Sequence, residues 1–124
     1  MRLLLDTHTV LALLSEDFPL SAEARAAMER PGADLICSAV NVWEIAIKRS
    51  LGKLTAPANL IERIEGAGAE LLAITPRHAH AVGELPFHHR DPFDRLLIAQ
   101  AQLEGCALVT KNPAFAAYDV PVVW

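Results

Sequence analysis

Short apolar runs alternate along the chain with segments whose apolar residues recur at helical spacing. Leu3–Leu5, Leu35–Cys37, Leu71–Ile74 and Ala107–Thr110 read as buried strands. Val120–Val123 reads as a fifth, placed at a sheet edge because Pro121 has no N–H for an interior ladder. Thr9–Ser15 is predicted helical. Ser21 is a side-chain cap for Ala22–Arg30, which Pro31-Gly32 stops, and Ser38 caps a helix from Ala39 to about Ser50 that leaves through Gly52. Pro57 is expected to open another helix with Leu60, Ile61 and Ile64 on one face, ended by Gly66 and Gly68. Thr75-Pro76 and Asp91-Pro92 are cap-then-proline signals. The second starts a helix that runs to Glu104 and stops at Gly105, after a loop over Leu85–Arg90. Pro113–Ala117 reads as a short helical turn.

Strand and helix alternating from end to end predict an α/β fold: three layers, α/β/α, around a mostly parallel sheet of four to five strands. With 124 residues and no repeat, low-complexity tract or linker, residues 1–124 are expected to form one domain. The 52% hydrophobic content excludes a disordered chain, and a mean hydropathy of +0.26 hints at an apolar surface for a partner or a second copy. Cys37 and Cys106 sit beside apolar runs without zinc spacing and are expected to be buried free thiols. The opening run is superficially like a signal peptide, but Asp6 and His8 interrupt it and no small-residue cleavage site follows. No stretch is long and apolar enough to span a bilayer, so a cytoplasmic protein without membrane association is expected.

A net charge of −4 argues against gripping nucleic acid by bulk electrostatics, but clustered acids that hold a divalent cation invert the local sign. Open parallel sheets bind ligands beyond the carboxyl ends of their strands. Asp6 ends the first strand, and Thr110, Lys111 and Asn112 end the fourth. Asp91 and Asp94 are three apart at a helix start and share a face, and Glu44 lies about two turns into a helix that also follows a strand. Each acid has a plainer role too. Asp6 and Asp91 are ordinary N-caps, Asp94 suits a helix N-terminus, and Lys48 at i+4 is the usual partner of Glu44 in its apolar setting. If the acids converge, their repulsion calls for a hard cation, and Mg²⁺ takes one or two carboxylates directly and keeps several waters.

The segments LLLDTH (Leu3–His8), SAVNVWEIAIKRSLGKL (Ser38–Leu54), HHRDPFDRLLIAQA (His88–Ala101) and LVTKNPAFAAYDVPVVW (Leu108–Trp124) together resemble the PIN-domain ribonucleases of the VapC toxin type. The resemblance covers essentially the whole chain. It implies a parallel sheet flanked by helices, Asp6, Glu44 and Asp94 as the acids of the site, dependence on Mg²⁺ or Mn²⁺, and cleavage of RNA. It also implies a cognate VapB-type antitoxin that binds and inhibits the enzyme, and a toxin homodimer. The sequence departs from the family at Thr110-Lys111-Asn112, where a Thr-x-Asp pattern often supplies a fourth acid. An Asn carbonyl still accepts a hydrogen bond from water but carries no charge, so weaker hold on a second metal is expected, with Asp91 as the nearby acid that restores charge.

The reading is therefore a Mg²⁺-dependent endoribonuclease, the toxin of a type II toxin–antitoxin pair. Asp91, Thr110 and Asn112 are accessory candidates, and Lys48, Arg90, Arg95 and Lys111 are candidates for RNA phosphate contacts beside the His88-His89-Arg90 strip and the Lys48, Arg49, Lys53 cluster. Trp43 is expected in the core, Trp124 against the C-terminus, and His78 and His80 exposed on a helix. The alternatives are a PIN-like RNA-binding module with weakened catalysis, which Asn112 supports, and a phosphoswitch receiver, against which stands the lack of an Asp at the end of either later central strand candidate.

Overall fold

The computed structural model describes residues 1–124. Its elements, in order, are β1 (Arg2–Leu5), α1 (Thr7–Leu14), α2 (Ala22–Glu29), β2 (Asp34–Ser38), α3 (Ala39–Ser50), α4 (Leu60–Gly66), β3 (Glu70–Leu72), α5 (Pro76–Val82), α6 (Pro92–Glu104), β4 (Ala107–Val109), a short 3-10 helix (Pro113–Ala117) and β5 (Val122–Val123). The strands form one five-stranded sheet in the order β3-β2-β1-β4-β5, with every pairing parallel.

Alternation along the central strands sends side chains into two cores. Leu4, Ile36 and Leu108 face a cluster with Leu97, Ile98 and Phe115, under α5, α6 and the 3-10 helix. Leu3, Leu5, Cys37 and Val109 face the other, with Val10, Met28, Ile45 and Ile64 from α1 to α4. Both faces of the sheet are thus covered, which is why β1 and β4 read as unbroken apolar runs. Cys37 and Cys106 are buried and unpaired as expected, and burial pushes the Cys37 thiol up to about 12.

Several boundaries differ from the sequence reading. The first helix starts at Thr7, because Asp6 itself caps it by accepting from the Thr9 N–H. The helix expected from Pro57 starts at Leu60, and Gly66 is its last residue; Gly68, at φ +86°, makes the turn into β3. β3 therefore begins at Glu70 and ends before the capping box that Thr75 and His78 build. Ile61, one step round from Leu60, is 45% exposed while Ile64 is buried. β5 is the predicted edge strand, and the Pro121 carbonyl accepts from Leu108 N (2.8 Å).

Three side chains reverse their expected burial. Trp43 is 51% exposed, turned edge-on to Phe93 between α3 and α6 while Val40 and Ile45 carry the buried face of α3. His78 is buried: its Nδ1 accepts from Thr75 N (3.0 Å) and Gln100 Nε2 (3.2 Å), and Nε2 stands 3.1 Å from Glu104 Oε2. Arg95 is buried as well. His80 is exposed, and Trp124 is half-buried against the second core, both as expected.

Candidate acidic site at the sheet switch point

From β1 the chain steps outward through β2 to β3 and then returns to build β4 on the other side of β1. The loops leaving β1 and β4 therefore diverge and open a crevice between them. A cavity of about 420 Å³ lies there, lined by Asp6, Glu44, Asp91 and Asp94 together with Lys48, Lys111 and Asn112. Three elements supply the acids: the β1–α1 junction gives Asp6, the second turn of α3 gives Glu44, and the N-terminus of α6 gives Asp91 and Asp94.

Glu44 is buried, and its two oxygens are held separately. Thr7 Oγ1 donates to Oε1 (2.6 Å), and Lys48 Nζ donates to Oε2 (2.7 Å). That ion pair holds the Lys48 ammonium above its usual range. Thr7 accepts in turn from Asn41 Nδ2 (3.2 Å), whose Oδ1 accepts from the backbone N–H of Ser38 at the start of α3 (2.8 Å). Glu44 is thus tied to the strand ends rather than left to swing from its helix. Thr9 adds a bolt, donating to the Val109 carbonyl (3.0 Å) and joining α1 to β4.

Asp91 performs the capping its position suggests, accepting from Asp94 N (3.0 Å), and still lines the cavity. Asp94 is paired with His89, whose Nε2 stands 2.7 Å from Oδ2. Burial, chiefly, together with the charges of Asp91 and Glu44, pushes the Asp94 carboxyl up to about 6 against the His89 bond. The fold thus favours its neutral form. That stabilisation is complete below the ordinary carboxylate range and is lost as pH rises through about 6. The metal-free protein is expected to lose melting temperature across that interval, and Asp94→Asn to lose less. Thermal melts against pH check this, and identical profiles for the two proteins would count against it.

The other candidates divide. Lys48 and Lys111 line the cavity. Arg90 is exposed outside its lining. Arg95, expected to contact phosphate, is 4% exposed and points away, donating to the carbonyls of Val82, Leu85, Pro86 and His89. Thr110 is buried, accepting from Asn112 N (3.1 Å), and does not line the cavity; Asn112 does, with Oδ1 accepting from Ala114 N (3.0 Å). Thr7, Asn41 and the Asp94 partnership of His89 escaped the sequence reading. Asn41, three residues after the Ser38 cap, was the one visible signal, since that is the reciprocal position of a capping box.

A family model described as the PIN domain matches residues 3–121. The chain belongs to the PIN-domain family. Among solved structures, this PIN domain is similar to VapBC2 from Rickettsia felis bound to a promoter DNA fragment. The TM-score there is 0.72 at 16% identity, over 98% of this chain and 97% of that one. It is also similar to DNA-bound VapBC from Salmonella typhimurium (TM-score 0.66, 18% identity, 98% and 96% covered). A toxin-antitoxin complex from Klebsiella pneumoniae matches with a TM-score of 0.61 at 22% identity, over 98% and 95%. At these identities the likeness is one of fold. Comparison with curated proteins gives no match.

The donor chemistry of this PIN domain fits a hard divalent cation. Its acids and Asn112 offer oxygen donors, with the His8 imidazole the one nitrogen acceptor on the wall, and burial, with smaller contributions from the charges of Asp91 and Glu44, already penalises a bare charge on Asp94. No three of the acids stand close enough to cage an ion by themselves. A cation such as Mg²⁺, which takes one or two direct carboxylates and keeps several waters, suits that spacing better than one needing a closed protein cage. No helix is long and apolar enough to cross a membrane.

Proposed function

We propose that this chain is a Mg²⁺-dependent endoribonuclease acting as the toxin of a type II toxin–antitoxin pair. The observation that carries the reading is the convergence of Asp6, Glu44 and Asp94 on one crevice, with Lys48 and Lys111 on its walls, in a PIN domain. Asp6 and Asp94 would hold the cation, directly or through water. When bound, it supplies activation of water and charge neutralisation at the phosphate. Glu44, fixed by Thr7 and Lys48, retains lone pairs that accept from the attacking water and aim it at phosphorus. Lys111 and the ammonium of Lys48 hold the phosphodiester oxygens. The P–O bond to water forms as the ester P–O bond on the opposite side breaks; the attacking water gives up a proton to solvent, and the leaving oxygen takes one from solvent.

Support for a VapB-type antitoxin as partner is the likeness to VapBC and toxin-antitoxin complexes, and support for a homodimer is the exposed Trp43 and Leu51 on and just beyond α3. Mn²⁺ is expected to replace Mg²⁺. The test is cleavage of single-stranded RNA, duplex RNA and DNA in Mg²⁺, Mn²⁺ and EDTA. Cleavage of RNA that stops in EDTA is expected. Activity that persists in EDTA overturns the metal mechanism, cutting of DNA alone overturns the ribonuclease reading, and RNA bound but uncut in every metal reduces the protein to a binding module.

A further inference from the structure

A second groove, about 690 Å³, opens beside the acidic cavity and shares two of its wall residues, His8 and Lys48. It runs between α1 and the segment after α3 as far as Arg63 on α4. Its ionic lining is one-sided: Lys48, Lys53 and Arg63 against Asp17 alone. The other apolar grooves lack this bias, one carrying Glu16 and Glu29 against Arg25, another Arg49 against Glu62. Lys48 is already paired with Glu44 (2.7 Å), so the excess is carried by Lys53 and Arg63, and in a chain of net charge −4 two unpaired cations on a groove that shares a wall with the acidic site are a local exception. Lys53 has no ion-pair partner, and Arg63 spends one N–H on the Leu14 carbonyl (3.2 Å). The remaining lining is largely apolar, including Leu11, Phe18, Leu54 and Pro57.

We infer that this groove is the track along which a single strand of RNA leaves the acidic site, with Lys53 and Arg63 holding backbone phosphates beyond the scissile one. The inference rests on the ribonuclease reading and names its substrate subsites. Cations over an apolar floor fit an unpaired strand, which offers phosphates and the faces of unstacked bases together. An A-form duplex offers phosphates and 2′-hydroxyls while its base faces stay stacked inside, so it leaves the apolar floor without a partner.

The test is anisotropy binding of a labelled 12-nucleotide single strand, a tetranucleotide and a duplex, in Ca²⁺ to suppress turnover, for the wild type and Lys53→Ala/Arg63→Ala. The double variant is expected to bind the long strand about tenfold more weakly. Its log K against log salt slope should be shallower by about 1.4, from two lost contacts at about 0.7 each. The tetranucleotide should bind unchanged, and Arg63→Lys should restore part of the affinity. Unchanged affinity for the long strand overturns the track and leaves the groove to a protein partner. Equal weakening for both lengths also overturns it. A long strand held by the groove in a protein that cuts no RNA would uphold the track and sink the nuclease reading. No single-strand binding by the wild type would sink both.

Discussion

Asp94→Asn is expected to lower kcat/KM for RNA cleavage by about a thousandfold, equivalent to about 4 kcal/mol of transition-state stabilisation, while leaving the metal-free fold as stable as the wild type or more so. The two halves of that expectation share one cause. Asp94 is buried beside Asp91 and Glu44, and its carboxyl is pushed up to about 6, so at neutral pH the folded chain carries a charge it would rather not hold. An amide removes the charge yet keeps an oxygen to accept from His89 Nε2 (2.7 Å). The backbone N–H of the residue stays on the Asp91 cap. Under the proposed function, the cation would lose an anionic donor and its compensating charge together. Asp6→Asn should behave similarly, since Asn caps a helix about as well as Asp and can still accept from Thr9 N. Glu44→Gln should also inactivate, but with some loss of stability, because the amide cannot accept from both Thr7 and Lys48. Melting curves and single-turnover rates on the same preparations check the pattern. Full activity in all three folded variants would sink the assignment of these acids.

The meeting of these acids at one cavity, though not their roles, was legible in the sequence. Asp6 ends an apolar strand, Asp91 and Asp94 share the first turn of a helix, and Glu44 stands in a run of apolar residues where a carboxylate needs a reason. Strand ends and helix starts are set by local pattern, and an open parallel sheet brings them to one rim. What local pattern could not reveal was contact made at long range. Thr7 reaches Glu44 across 37 positions, Thr9 reaches Val109 across 100, and neither Thr differs in kind from any other in a first helical turn. His78 looks like a polar helix residue until the packing of α5 on α6 sets it beside Gln100 and Glu104. Trp43 looks like core because of its size, but the buried face of α3 is completed by smaller residues and the indole is left at the α3–α6 seam against Phe93.

Arg95 is the case where this limit matters most. Beside Asp94 in the sequence it passes for a phosphate contact, but α6 turns it about 100° from Asp94 and into the protein. There Nη1 donates to the Pro86 carbonyl (2.9 Å), the His89 carbonyl (3.3 Å) and Tyr118 OH (3.3 Å), and Nη2 to the carbonyls of Val82 (3.0 Å) and Leu85 (3.3 Å). Phe87 lies over the guanidinium, 4.2 Å from its centre. No carboxylate pairs with it, so its charge is balanced only by carbonyl dipoles, a phenol and a ring. The segment from Gly83 to His89 is irregular and is organised largely by these bonds, and it delivers His89 to Asp94. Tyr118 reinforces it by accepting from His89 N (2.9 Å). Arg95→Leu should therefore strand several loop carbonyls at once and cost about 3 kcal/mol or more, a large part of the roughly 5–15 kcal/mol that holds a domain together, or about 10 °C in melting temperature. Arg95→Lys keeps the charge, but one ammonium cannot span both sets of carbonyls, so only part of the loss is recovered. A phosphate contact predicts the reverse: an unchanged melt and weaker RNA binding in both variants. Thermal denaturation beside RNA affinity separates the two, and it also tests whether a residue adjacent to the acidic site acts on it only by holding the loop that holds His89.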